Sequence, residues 1–219
     1  CVFCHIVSLN PENMVIAQDD DEYRNILSEG DIQLCDGVGI ALGGSILSIQ
    51  VGERVTGADL LEKVLKLGNE MGLRVLLIGA GTDVADNLAI CYHKKFPNLS
   101  IKGFQGIRDI HHPHKEEEAA IFSIVSYYKP QIIFSAFGSP WQEKWFWQHR
   151  AHLKGIVCMG VGGGFDFALG KVARAPRFVR RAGMEWLYRL LSQPWRLKRQ
   201  LRLIRFLYLV MKQKITGHV

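Results

Sequence analysis

Long apolar runs are missing from this sequence of 219 residues. No stretch reaches the roughly 20 residues that span a bilayer as a helix, which argues against a transmembrane segment. Cysteine is sparse too: Cys1, Cys4, Cys35, Cys91 and Cys158 are scattered, and three of them sit in apolar runs. That arrangement suits a reducing compartment better than a disulfide framework. Cys1-x-x-Cys4 has redox spacing, but no second Cys pair or Cys/His set completes a metal site, so both read as small apolar residues on a strand. No signal-peptide pattern is visible; the chain opens on Cys rather than Met, and residues upstream are expected. Internal repeats and low-complexity segments are absent as well. Acid is nearly absent from the last 49 residues, where Glu185 stands alone against 13 Lys and Arg, although the whole chain carries only +6. Such asymmetry implies a basic segment with an anionic partner.

What is present is an alternation of apolar runs with helix-period segments, the pattern of a parallel sheet covered by helices. "CHIVSL", "DIQLC", "RVLLIG", "LSIKGF", "QIIFSAFG" and "GIVCMGVGGG" read as six strands. Asn10-Pro11 caps a helix expected to run to about Leu27. "GADLLEKVLKLGNEMG" is amphipathic, and Thr82 or Asp83 caps the helix after "RVLLIG". The expected fold is therefore α/β, a Rossmann-like and mostly parallel sheet of about six strands with helices on both faces. It occupies residues 1–170, and residues 171–219 form a basic helical appendage broken near Gln193-Pro194. On the second appendage helix Leu197, Leu201, Ile204, Leu207, Tyr208 and Met211 share one arc. Lys198, Arg199, Arg202 and Arg205 share the opposite one, with Phe206 and Leu209 intruding. That pattern suits an interfacial helix on a membrane surface.

Ligands of open parallel sheets sit beyond the carboxyl ends of the strands. Five places qualify: Ser8-Leu9-Asn10, Asp36-Gly37, Gly79-Ala80-Gly81, Gly138-Ser139-Pro140 and Gly160 to Gly164. Asn10, Gly79, Gly138 and Gly162 are the candidate ligand-binding positions there, since free N–H groups at helix starts favour phosphate. A dinucleotide cofactor fits poorly. Val84 stands where the third small residue after Gly79-x-Gly81 belongs, and no ribose-binding acid follows at Ile101-Lys102-Gly103. No Walker lysine follows any glycine cluster. No cofactor is expected.

Neither acidic nor histidine clusters earn a metal. Asp19-Asp20-Asp21-Glu22 falls near the end of the first helix, away from the strand ends, and reads as a solvated face. His111-His112-Pro113-His114 lacks a partner cysteine or spaced carboxylate and reads as a surface turn. Asp36 is the better acid. A strand delivers it to the ligand edge, where a carboxylate acts as a general base; a turn or helix cap before Gly37 is the equally weighted alternative.

Several segments together, "DGVGIALGG", "ERVTGADLL", "FGSPWQEKW", "VGGGFDFALGKVARAPRFVRRAGMEWLYRLL" and "QPWRLKRQ", resemble the WecG/TagA/CpsF glycosyltransferases (glycosyltransferase family 26) from Ser8 to about Arg205. The resemblance implies a hexosyltransferase that moves a sugar from a UDP-sugar to a polyprenyl-diphosphate-linked acceptor, with inversion and without metal. The acceptor class is an undecaprenyl-diphosphate-linked GlcNAc, the sugar N-acetylmannosamine or a related hexose, and the product a teichoic acid-like cell-envelope polysaccharide. It further implies a peripheral protein on the cytoplasmic face of the cell membrane, able to self-associate. The family's proposed base matches Asp36, and Ser8 supplies the hydroxyl that is commonly Thr. Arg54 and Gln142 match other pocket positions, and Arg189, Arg196 and Arg199 match arginines thought to reach the nucleotide diphosphate. The resemblance also makes the appendage a membrane-docking lid, binding anionic lipid. Two rivals from other classes are a nucleic-acid-binding protein using the basic helix, which would need stacking aromatics that are not evident here, and a non-catalytic sugar-nucleotide sensor.

Overall fold

Strand β3 (Arg74–Gly79) shows why the chain folds as it does. Its residues alternate Val75 and Leu77 toward one face with Leu76 and Ile78 toward the other, and all four are fully buried. Apolar side chains on both faces require covering layers on both sides, which is the condition of a parallel sheet. In the computed structural model, which describes residues 2–170, 175–176, 179, 184–192 and 197–217, that sheet has six strands. The others are β1 (Cys4–Leu9), β2 (Ile32–Cys35), β4 (Ser100–Phe104), β5 (Ile132–Ala136) and β6 (Val157–Gly160). Their order is β2-β1-β6-β5-β3-β4 and every pairing is parallel. The expected Rossmann-like α/β fold is thus observed.

One face is covered by α4 (Gly57–Met71), α5 (Val84–Lys95) and α8 (Gly164–Ala168), which bring Leu61, Leu65, Leu88 and Phe165 onto Leu77, Phe134 and Met159. The other is covered by α6 (Lys115–Tyr128) and α7 (Trp141–Gln148), with Ile121, Trp145 and Phe146 against Leu76, Ile133 and Cys158. Each fully buried Leu or Phe stabilises the fold by about 1.5–3 kcal/mol relative to an exposed one. Cys158 is a core residue, and the four described cysteines are free thiols.

Two expectations are corrected. The first helix is not continuous to Leu27. It divides into α1 (Pro11–Asp19) and α2 (Asp21–Ser28) at Asp20, whose extended backbone ends one helix while its side chain accepts from the Tyr23 N–H to cap the next. An additional helix, α3 (Val38–Leu47), follows β2. Its low charge and its glycines hide it in the sequence. Gly39 and Gly43 are spaced four apart, and a Cβ at Gly43 would approach the Phe206 ring at 3.0 Å; the glycines let another helix come close.

That other helix is α10 (Leu197–Thr216), which follows α9 (Glu185–Ser192); the expected break at Gln193-Pro194 lies outside the described residues. α10 packs on α1 and α3 through Phe206 and Val210, set against Val15, Ile40 and Ile46. Arg202 pairs with Glu12, and Arg205 forks onto Asp19 at 2.6 and 2.7 Å. The helix therefore turns part of its basic face toward the body of the protein. Phe206, read as an intrusion on the basic side, anchors the helix, and acids of α1 neutralise two of the basic residues. Leu201, Ile204, Tyr208 and Met211 of the apolar arc face outward and are exposed. Among the described residues no helix is long and apolar enough to cross a membrane.

Candidate active site

A cavity of about 530 Å³ opens at the carboxyl ends of β1, β2, β5 and β6, within the range that small-molecule sites occupy. Helix starts ring it. Asn10 to Asn13 belong to the start of α1, Thr56 to Ala58 to that of α4, and Gly163 and Gly164 to that of α8. Each presents backbone N–H groups that no helical turn consumes, an environment that favours anionic oxygen.

Ser8 and Asp36 reach the cavity from neighbouring strands. The register pairs Leu9 with Cys35, and the Asp36 N–H donates to the Leu9 carbonyl at 2.8 Å, so β1 fixes the backbone of Asp36. The helix cap in this turn is Gly37, at φ +101°, not Asp36. Arg54 lies alongside. Its segment adds a single parallel bridge to Cys35, and the Val55 N–H donates to the Cys35 carbonyl at 3.0 Å. Burial raises the pKa of the Cys35 thiol, Asp36 raises it further and Arg54 opposes them, so both charges bear on one point.

Thr56 explains the "VTGAD" stretch. Its hydroxyl accepts from the Asp59 N–H at 3.2 Å and donates to the Asp59 carboxylate at 2.7 Å, which starts α4 at the cavity wall. A Cβ on Gly57 would lie 3.5 Å from Met159 and 3.9 Å from the Ser8 hydroxyl, so that helix start is set close to Ser8. Asn10 accepts from the Asn13 N–H, and the Asn13 side chain donates to the Ser8 carbonyl at 2.8 Å. The side-chain oxygen of Asn10 is thus occupied in shaping the site.

Gln142 is buried, and its side chain holds two loops together. Oε1 accepts from the Gly138 N–H at 3.1 Å and the Gly162 N–H at 3.3 Å. Gly160 has no room for a Cβ because the Gln142 side chain lies 2.3 Å from where it would stand. Four of the five expected strand ends therefore meet in one cavity. The fifth does not: Gly79 lies outside the lining, at φ +100° and under the Phe137 ring, so its glycine answers to backbone shape and packing.

The side chain of Arg189 and that of Arg199 lie outside the described residues, as does Arg196 altogether. The C-terminal segment nevertheless reaches the site through Trp186 and Leu203, which form part of its wall. Among the described lining residues Arg54 is the one cation, against Glu12, Asp36, Glu143 and Asp166. Sequence reasoning missed Asn13, Thr56, Glu143, Trp186 and Leu203. The Thr56-x-x-Asp59 capping spacing signalled one of them; the others depend on tertiary contacts. The two decoy clusters are engaged elsewhere: Lys144 bonds Asp20 and Glu22 at 2.8 and 2.7 Å, His112 pairs with Asp109, and the His111 ring meets Trp141 edge-on.

Sheet order and a cavity at the carboxyl edge define a Rossmann-like α/β protein. The glycosyl transferase WecG/TagA/CpsF family model matches residues 2–219. The chain belongs to that family and is a glycosyltransferase. It is 30% identical over 95% of its length to the N-acetylglucosaminyldiphosphoundecaprenol N-acetyl-beta-D-mannosaminyltransferase of Bacillus subtilis, of which it covers 79%. It is 28% identical, over 95% of its length and 80% of the relative's, to the enzyme of that name from Staphylococcus aureus.

Proposed function

We propose that the chain moves N-acetylmannosamine or a related hexose from a UDP-sugar to an undecaprenyl-diphosphate-linked GlcNAc acceptor, with inversion and without metal. The product class is a teichoic acid-like polysaccharide, and the reaction takes place on the cytoplasmic face of the membrane. The observation that carries this reading is Asp36, held by β1 at the rim of a cavity lined by helix starts. The names of the relatives supply the acceptor class.

In the reaction the Asp36 carboxylate takes the proton of an acceptor hydroxyl. The hydroxyl oxygen forms a bond to the anomeric carbon as the bond from that carbon to the diphosphate oxygen breaks, and UDP leaves with the electron pair. Displacement from the opposite face inverts the centre. Ser8 hydrogen-bonds the reacting groups beside Asp36. The described lining carries more acids than cations, so the leaving diphosphate needs charge from elsewhere. Helix N-termini, Arg54 and the family-matched Arg189, Arg196 and Arg199 supply it, arginine through its fixed charge and fork of donors.

A lipid acceptor demands a protein that works at a surface. The outward row Leu201, Ile204, Tyr208, Met211 and Ile215 on α10 and the exposed Val38, Leu42 and Ile49 in and just after α3 support apolar contact with the bilayer. Basic residues add about 1 kcal/mol each near anionic headgroups.

The test is a panel of UDP-sugars with a short prenyl-diphosphate-GlcNAc acceptor, read by mass spectrometry. One donor should give a product heavier by one sugar residue. Asp36→Asn should lower turnover by about 10²–10⁴-fold while UDP binding, measured by calorimetry, persists. Full turnover in that variant would overturn the assignment of the base.

A further inference from the structure

We infer that Glu143 is a positioning residue of this cavity, a carboxylic acid held in its neutral form that locks the Gln142 amide and, through it, the two glycine loops of the site. The inference rests on the reading of the cavity as the sugar donor's site.

Glu143 is the third residue of α7; it lines the cavity, yet only 1% of its surface is exposed. Its Oε1 accepts from Gln142 Nε2 at 2.7 Å and from the Ser139 hydroxyl at 3.0 Å. With its NH₂ committed to Glu143, the Gln142 amide has one orientation left. Its oxygen faces the Gly138 and Gly162 N–H groups, one from the loop after β5 and one from the loop after β6. A flipped amide would set two N–H groups against an NH₂ and leave Glu143 Oε1 facing a carbonyl. The orientation of both loops therefore traces back to one carboxyl oxygen.

The other oxygen fixes the charge. Oε2 is buried without a hydrogen-bond partner among the described residues. No cation among the described residues forms an ion pair with Glu143. Lys144, next in the chain, is bonded to Asp20 and Glu22. Tyr23 of α2 is the titratable group beside Glu143, and the other acids that act on it, Glu12 and Asp20, are paired with Arg202 and Lys144. An ionised carboxylate sealed in such surroundings carries a desolvation cost that its two donors offset only in part, with no described cation paired to it. Burial accordingly raises the pKa of Glu143. The neutral acid carries its proton on Oε2 and leaves Oε1 as the acceptor that its two donors require. Neutrality also suits a cavity that already holds Asp36 and Asp166 and receives a diphosphate.

Three variants of the full chain test this: Glu143→Gln, Glu143→Asp and Glu143→Ala. Glutamine is the neutral isostere, and its carbonyl can take both bonds. It should keep kcat/KM within about threefold of the parent, whereas alanine should raise the donor KM by about tenfold or more, the loss of one to two hydrogen bonds. Aspartate, one methylene short of Gln142, should follow alanine. In the parent, activity should fall at high pH as Glu143 ionises, and the glutamine variant should lack that limb. Two readouts need no turnover. The side-chain carboxyl ¹³C signal lost in Glu143→Gln should sit at the protonated position in the parent at pH 7. Amide exchange at Gly138 and Gly162 should quicken in the alanine variant and not in the glutamine one. An ionised ¹³C signal at pH 7, or a glutamine variant as impaired and as fast-exchanging as alanine, would overturn the inference. Absence of sugar transfer by the parent with every donor, alongside the expected ¹³C and exchange results, would count against the glycosyl-donor reading instead.

Discussion

A single histidine shows how far one buried side chain can set the response of the protein to acid. His5 of β1 is fully buried between Phe3 and Phe146, and neither ring nitrogen finds a partner among the described residues. Burial lowers its pKa from 6.5 to about 4, despite the opposing pull of Asp31. In that window the unfolded chain binds a proton that the folded chain refuses, so stability falls as pH drops from 6.5 toward 4. The loss is on the order of 3 kcal/mol. His5→Leu should flatten that dependence, measured as urea midpoints across the pH range. At the same scale, the place of Asp36 in the cavity was legible because a strand followed by Asp-Gly sets its acid at the ligand edge, and that of Ser8 because it ends a strand, its hydroxyl being singled out by the resemblance alone. Glu143 was not, since an acid one residue after Gln142 on a helix start looks solvated until α2 and the Ser139 loop close around it.

At the scale of elements, all six strands were readable: burial on both faces leaves apolar runs in the inner strands, and the part-exposed edge strands β2 and β4 are short runs bounded by glycine and polar turns. α3 escaped notice, as its helical period carries little polar contrast, and the Asp20 break escaped because one residue both ends α1 and caps α2. The part Phe206 plays in α10 was misread for an instructive reason. Periodicity identifies two faces but not which one meets the protein, and here acids on α1 attract the basic face inward. The docking nonetheless rests mainly on Phe206 and Val210, because the Arg205–Asp19 pair is solvated and such pairs contribute little. Phe206→Ala should therefore release the helix, at a cost of about 3 kcal/mol, and speed amide exchange across residues 203–211. Arg205→Ala should leave that exchange nearly unchanged.

For the whole molecule, charge and apolar surface separate. The C-terminal 49 residues hold 13 of the 27 Lys and Arg, but Arg202 and Arg205 face the body, and the outward row of α10 is apolar. On the proposed reading, attachment to vesicles should then depend on apolar insertion as well as on headgroup charge. Ile204→Asp with Tyr208→Asp should weaken sedimentation with vesicles at least as strongly as a rise in salt does, without altering the unfolding midpoint, since both side chains are solvent-facing already.

Trp186 and Leu203 close one side of the cavity from a segment that meets the rest of the chain through α1 and α3. Under the proposed chemistry this wall is also a seal, because an activated sugar beside a general base is open to attack by water as readily as by an alcohol. Narrowing it to a stub with Trp186→Ala should raise the ratio of free sugar released to sugar transferred, counted in the same reaction mixture. Fidelity toward the acceptor would then be a property of a tryptophan that takes no part in bond making.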